Sequence, residues 1–307
     1  KLVRSHTKVL ALTDNIIPHE KRIGDHIFTK YFVKNCDGFI AMSKVVLNDL
    51  SIFTQNLNKA YSPHPMYQNY GDPIRIDLAR KKLNLNPQDK IILFFGLIRH
   101  YKGLDILLEA LAVPEIKNQG IKLLIAGEFY DDKNFYLQLI KKLKLQDHII
   151  VHDKFIPNDE VRDYFCASNL VAQTYRNATN SGVTMVGYFY EKPMLVTNVG
   201  GLSEIVPDEV CGYVVENNCA KISEKVVEGL TRQTNSLVEL QQGEKHLIQI
   251  QNLMQQNLNA IHSTGDFQEA VHCLTAAVHL LTSKLQGRNN EPFFPSANSA
   301  SRSNPSG

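Results

Sequence analysis

Arg99 and Lys102 stand three residues apart in GLIRHYKG (96–103), directly after KIILFFG (90–96). That continuous apolar run has the β-branched and aromatic content of a strand covered on both faces. Gly96 ends the run, and Gly103 opens an amphipathic segment, LDILLEALA. A strand, a glycine turn and a helix in this order bring helical N–H groups and two cations to the carboxyl end of a parallel strand. The ligand that suits them is a phosphate or diphosphate, which accepts charge-assisted bonds from a guanidinium in bidentate fashion. The same side chains would equally serve as solvated charges on a surface loop. A second corner lies at 179–183, where Thr179, Asn180, Ser181, Gly182 and Val183 separate an apolar run at 169–175 from a helical segment at 181–190. Small hydroxyl residues and a glycine let backbone N–H groups approach a phosphate there. Ser181 also has the chemistry of an ordinary helix N-cap.

These corners need a rigid frame, and 76–232 provides its pattern. Strand-like runs at 90–96, 121–127, 148–155, 169–175, 192–198 and 212–216 alternate with helical spacing at 76–85, 103–112, 134–145, 181–190 and 220–231. Asn158, followed by Asp159 and Glu160, reads as the cap of a further helix. Repeated βα units predict a parallel sheet with helices on both faces. Residues 1–75 hold two more strands (8–15, 37–43) and two helices (26–36, 44–53). Two strands are few for a self-sufficient layer, so this piece reads as the last part of a larger domain, with hydrophobic edges left exposed. The tail predicts helices at 244–261 and 267–286, a tight turn at 263–266 between them, and disorder over 287–307.

Bulk properties exclude several classes. A formal net charge of +2, with no Lys/Arg block interleaved with aromatics, gives no nucleic-acid surface. No apolar run approaches the ~20 residues that span a bilayer. Cys36, Cys166, Cys211, Cys219 and Cys273 form no C-x-x-C pair and read as reduced thiols, with neither a disulfide framework nor a zinc site. No Asp-x-Asp spacing offers a divalent metal a place, and no G-x-G-x-x-G follows a strand.

GLIRHYKGLDILLEAL (96–111), LLIAGE (123–128), NSGVTMVGYFYEKPMLVTNVGGLSEIV (180–206) and GYVVE (212–216) occur in order and at ordinary spacing. With NIIPHEKR (15–22) and YSPHP (61–65), they make the region from about 8 to 230 resemble the family 4 retaining glycosyltransferases, of GT-B fold. The resemblance implies an α/β, GT-B type architecture. Residues 1–75 would be a partial acceptor domain and linker, 76–232 the Rossmann-like donor domain, 233–286 a helical tail and 287–307 disordered. It implies transfer of a hexosyl group from a nucleotide sugar to a hydroxyl on a glycan or lipid-linked acceptor, with retention and without metal or cofactor. Arg99 and Lys102 would hold the donor diphosphate, and His19 would face the sugar or the incoming hydroxyl. Gly96, Glu128 and the residues of 179–183 would line the donor site. Location would be cytoplasmic, with peripheral contact at the inner membrane face, in polysaccharide biosynthesis.

Many members of the family carry two Glu residues in the segment before Lys192-Pro193. Those positions are Ala178 and Val186 here, and neither side chain accepts a hydrogen bond. An alternative reading is therefore a noncatalytic nucleotide-sugar-binding remnant, or a module whose helical tail binds a partner. His64 reads as part of a proline-stiffened linker, Glu204 as the cap of a short helix, Gly200-Gly201 as a close turn, and 154–157 as a stretch near the base.

Overall fold

A computed structural model describes residues 7–20, 22–56, 58–262 and 274–281. The chain divides into two compact units, Lys1–Gln233 and Thr234–Gly307. Among the described residues the first unit contains two sheets, both parallel. The smaller runs β1-β2-β3, from β1 (Leu10–Thr13), β2 (Gly38–Ala41) and β3 (Lys59–Tyr61). The larger is built from β4 (Lys90–Phe95), β5 (Ile121–Ala126), β6 (Ile149–His152), β7 (Leu170–Gln173), β8 (Met194–Thr197) and β9 (Gly212–Val215). Its strand order is β6-β5-β4-β7-β8-β9.

The side-chain alternation of β4 explains why this sheet is covered twice. Ile92 and Phe94 join Leu123, Ile125 and the Leu104, Leu107 and Leu108 side chains of helix Leu104–Leu111. Ile91 and Leu93 point the other way, into a cluster with Leu124, Tyr164, Phe165 and Val186. The chain leaves β4 toward β5, then returns from β6 to β7 on the far flank of β4. The carboxyl ends of β4 and β7 are thus neighbours at a topological switch point, the place where open α/β sheets bind ligands.

Several expectations shift in the structure. β3 was not among the expected strands and lies just before the proline-stiffened stretch at His64, so the smaller sheet has three strands. Its core is Ala11, Ile16, Val33, Phe39, Ala41, Val46 and Leu50, while Leu10, Leu12, Ile27, Phe28 and Tyr31 are exposed. The helix expected over 76–85 ends at Lys82, because Asn84 takes up a left-handed φ of 53°. Pro157, not Asn158, occupies the N-cap of helix Asn158–Ala167. Helix Cys219–His262 is continuous through the gap expected between its two halves. Gly229 does not break it, since its missing Cβ makes room for the Tyr213 ring, whose Cε2 would lie 2.7 Å from such an atom. Residues 274–281 are helical. The expected turn at 263–266, Cys273 and the segment 287–307 lie outside the described residues. Among the described residues no helix is long and apolar enough to cross a membrane.

Candidate functional site

The turn after β4 folds Lys102 back over Gly96. Gly96 has φ 94° and Gly103 φ 67°, with a short 3-10 turn, His100–Lys102, between them. Lys102 Nζ lies 3.1 Å from the point where a Cβ on Gly96 would stand, and 5.8 Å from the centre of the Tyr175 ring. The side chain is buried, and among the described residues it makes no hydrogen bond or ion pair. Burial, and then the nearby Arg99 charge, push its pKa down to about 8.

The second corner meets the first. Val183 Cγ2 is 3.9 Å from the same Gly96 point. Ser181 occupies the N-cap of helix Gly182–Phe189, yet its side chain makes no capping bond. Its hydroxyl lies 3.3 Å from the Tyr175 hydroxyl instead, and while Thr184 N donates to Ser181 O at 3.1 Å, the N–H groups of Gly182 and Val183 have no acceptor among the described residues. Tyr67 lies across this end, its Cε2 3.1 Å from the Cβ position of Gly182. Burial pushes the Tyr175 phenol well up, so it stays a neutral hydrogen-bonding group.

Residues between β1 and helix Asp25–Lys34 close the site from the smaller sheet. Arg99 Nη1 donates to Glu20 Oε2 at 3.0 Å, and the guanidinium lies 4.9 Å from the centre of the Tyr130 ring. His19 stacks on Tyr101 with centroids 5.1 Å apart and planes 24° apart. Its Nε2 lies 3.5 Å from Thr179 Oγ1. Burial lowers the His19 pKa against the upward pull of Asp14 and Glu20. Asn180 Nδ2 donates to Asp14 Oδ1 at 3.2 Å, while its Oδ1 is buried without a partner among the described residues.

Gly96, Arg99, Lys102, His19 and the residues of 179–183 therefore surround one cleft edge. Glu128 does not join them through any hydrogen bond or ion pair among the described residues. Its carbonyl accepts from Ile98 N at 2.8 Å, and it lines a hollow of about 430 Å³ with Phe129, Tyr130, Asp153 and Lys154. A larger hollow of about 530 Å³ lies beside Lys82, Lys154, Glu160 and Asp163. Its cations are already matched, Lys82 by Asp163 at 3.0 Å and Lys154 by Glu160 at 2.6 Å. Volume alone would point there, but the unmatched buried ammonium points to the Lys102 corner.

Glu204 does not cap its own helix. Its Oε2 accepts from Lys44 N at 3.2 Å, at the start of helix Lys44–Phe53. Ala178 and Val186 are buried among apolar side chains. Gly200 closes on that backbone so tightly that a Cβ would stand 1.6 Å from Ala178 O. The residues that hold the Lys102 turn in place, Arg176 and Asp105, went unnoticed in the sequence. They are 71 positions apart, and no local motif marks them.

A model of the family described as glycosyl transferases group 1 matches residues 75–245, more than half of the chain. The chain belongs to that family. It is 31% identical over 159 residues to the putative glycosyltransferase YtcC of Bacillus subtilis (strain 168), a match covering 50% of this chain and 38% of that protein. Among solved structures it is similar to sucrose-phosphate synthase from Thermosynechococcus elongatus, with TM-score 0.63 and 20% identity, over 72% of this chain and 58% of that one. It is also similar to Anabaena HepE in complex with UDP-glucose, with TM-score 0.64 and 16% identity, over 74% of this chain and 64% of that one. The chain spans less than two thirds of the length of each of these proteins. With the two parallel sheets, these likenesses define a GT-B type fold with a helical C-terminal region.

Proposed function

We propose that the Lys102 corner holds the diphosphate of a nucleotide sugar, and that the chain carries the donor half of a retaining, family 4 type transfer of a hexosyl group to an acceptor hydroxyl. The observation that carries this reading is the buried Lys102 side chain, whose ammonium makes no ion pair among the described residues and feels the Arg99 charge. A buried, unpaired cation is costly, and an incoming anion removes that cost. When the bond from the anomeric carbon to the phosphate oxygen breaks, negative charge grows on the leaving diphosphate. Lys102, Arg99 and the open N–H groups of 182–183 then bind the transition state more tightly than the ground state. Fixed cations supply that stabilisation without a metal or other cofactor. Neutral His19, held against Tyr101 and Thr179, is suited to bonding the sugar or the acceptor hydroxyl. The acceptor is a glycan or lipid-linked hydroxyl at the cytoplasmic face of a membrane, in polysaccharide biosynthesis, reached by peripheral contact.

The UDP-glucose held by HepE makes UDP the first probe. Thermal shifts with UDP, GDP, ADP and their sugars, on the parent chain and on Lys102→Met, test the proposal. Ligand at a hundred times its Kd should stabilise the parent by about 2.7 kcal/mol, and the substitution should abolish the shift. A parent chain that none of these nucleotides stabilises would sink it.

A further inference from the structure

We infer that Arg176 and Asp105 form a clamp that sets the position of the turn bearing Arg99 and Lys102, and thereby the affinity for the diphosphate. The inference rests on the reading of that turn as a diphosphate site.

Within the turn, only short-range bonds act: Lys102 N donates to Arg99 O at 2.9 Å and Gly103 N to His100 O at 3.1 Å. The start of the turn is tied to the segment after β5, where Ile98 N donates to Glu128 O at 2.8 Å and Tyr130 N to Ile98 O at 3.0 Å, and its end is held by the loop after β7. Arg176 N donates to Tyr101 O at 2.7 Å, and Arg176 Nη1 donates to His100 O at 2.8 Å. The guanidinium also grips Asp105 with both arms, Nη1 to Oδ1 at 2.8 Å and Nη2 to Oδ2 at 2.5 Å. Thr174 Oγ1 donates to Gly103 O at 2.8 Å. The carbonyls of His100, Tyr101 and Gly103 are thus all held by one short segment, 174–176. Asp105 sits in the first turn of helix Leu104–Leu111, where a carboxylate complements the helix dipole. A planar fork with two carboxylate contacts and a carbonyl contact restrains both distance and orientation.

Charge separates this role from ligand binding. Asp105 neutralises Arg176 where it stands, so the pair steadies the turn without adding net positive charge to the corner. Lys102 has no side-chain bond of its own among the described residues. Its ammonium is therefore aimed by the backbone of 100–103, and that backbone is held by Arg176. A small displacement of such a group costs binding steeply.

The test measures UDP affinity by calorimetry at pH 7 and pH 9 on the parent chain, Arg176→Gln and Asp105→Asn. The second variant keeps the shape of the side chain and guards against a misfolded first. In the parent, affinity should fall between the two pH values as Lys102 loses its proton. In each variant, affinity at pH 7 should fall about tenfold, and the pH dependence should flatten because the ammonium no longer reaches the ligand. A purely structural pair would leave that pH dependence intact. If the parent binds UDP and both variants match it, or lose affinity with the pH dependence unchanged, the clamp is overturned and the diphosphate site stands. A parent that fails to bind UDP overturns both.

Discussion

Glu20 reaches out of the segment after β1 to accept from Arg99 across 3.0 Å, so the two cations after β4 are not equivalent. Arg99 has a counter-ion, and Lys102 has none among the described residues. A diphosphate drawn to Arg99 competes with that carboxylate for the guanidinium.

The cost of displacement is small, because the Arg99 and Glu20 side chains are 30% and 41% exposed and such pairs contribute about 0–1 kcal/mol. Glu20→Gln should raise UDP affinity, by no more than about fivefold. Calorimetry at low and moderate salt measures the change. A fall in affinity would mean that Glu20 aims Arg99 at the ligand instead of competing with it.

Lys102 titrates at about 8 in the folded chain, against an ordinary 10.5. Below pH 8 the folded and unfolded chains both carry the proton, and the fold bears the whole cost of burying it and of setting it near Arg99, about 3 kcal/mol. Between pH 8 and 10.5 the folded chain sheds its proton first, so stability rises with pH. Lys102→Met should therefore be more stable than the parent at pH 7, with the advantage shrinking toward pH 10.5. Urea unfolding across that range reads the difference, and a less stable variant at pH 7 would refute the burial account.

Gly103 combines φ 67° with a Cβ position 2.0 Å from Thr174 O. Gly103→Ala should lose about 3 kcal/mol of stability, from left-handed strain and from the pushed-apart turn. UDP binding should weaken with it. Wild-type stability would show that the turn separates from 174–176 without penalty.

Val186 stands where the resemblance to family 4 implies an acidic residue, but it is buried in the apolar cluster on one face of the sheet. Val186→Glu should destabilise the chain by about 3 kcal/mol, since a carboxyl there has to be buried without a partner. It should not raise UDP-glucose hydrolysis. Increased turnover at unchanged stability would place that carboxylate in the cleft after all.

The strands of the larger sheet were legible because each is an apolar run closed by a glycine or a polar turn, and β4 and β5 are almost wholly buried. β3 was not legible. It is three residues long, with none of them buried, and only pairing with β2 makes it a strand. The long helix read as two because glycine usually punctuates a sequence, whereas Gly229 serves close packing under Tyr213 and Gly243 faces open space. At the site, Arg99, Lys102 and Ser181 could be found from local spacing. Arg176, Asp105, Glu20 and Asp14 could not, because their partners lie 71 to 166 positions away. Ser181 stands at the N-cap position, but the alternative reading of its side chain as an ordinary cap fails, since Tyr175 takes the hydroxyl that a cap would use.

Helix Leu104–Leu111 buries its leucines on one side of the large sheet, and helix Gly182–Phe189 packs Val186 on the other. The helices of the two connections that flank the β4–β7 slot are therefore anchored on opposite faces, while their loops meet through the Tyr101–Tyr175 ring contact and the Arg176 bonds. Insertions or exchanges in either connection would leave the ladder of strands untouched. A change in one loop thus reaches the other, while the foundation of strands beneath them keeps its shape.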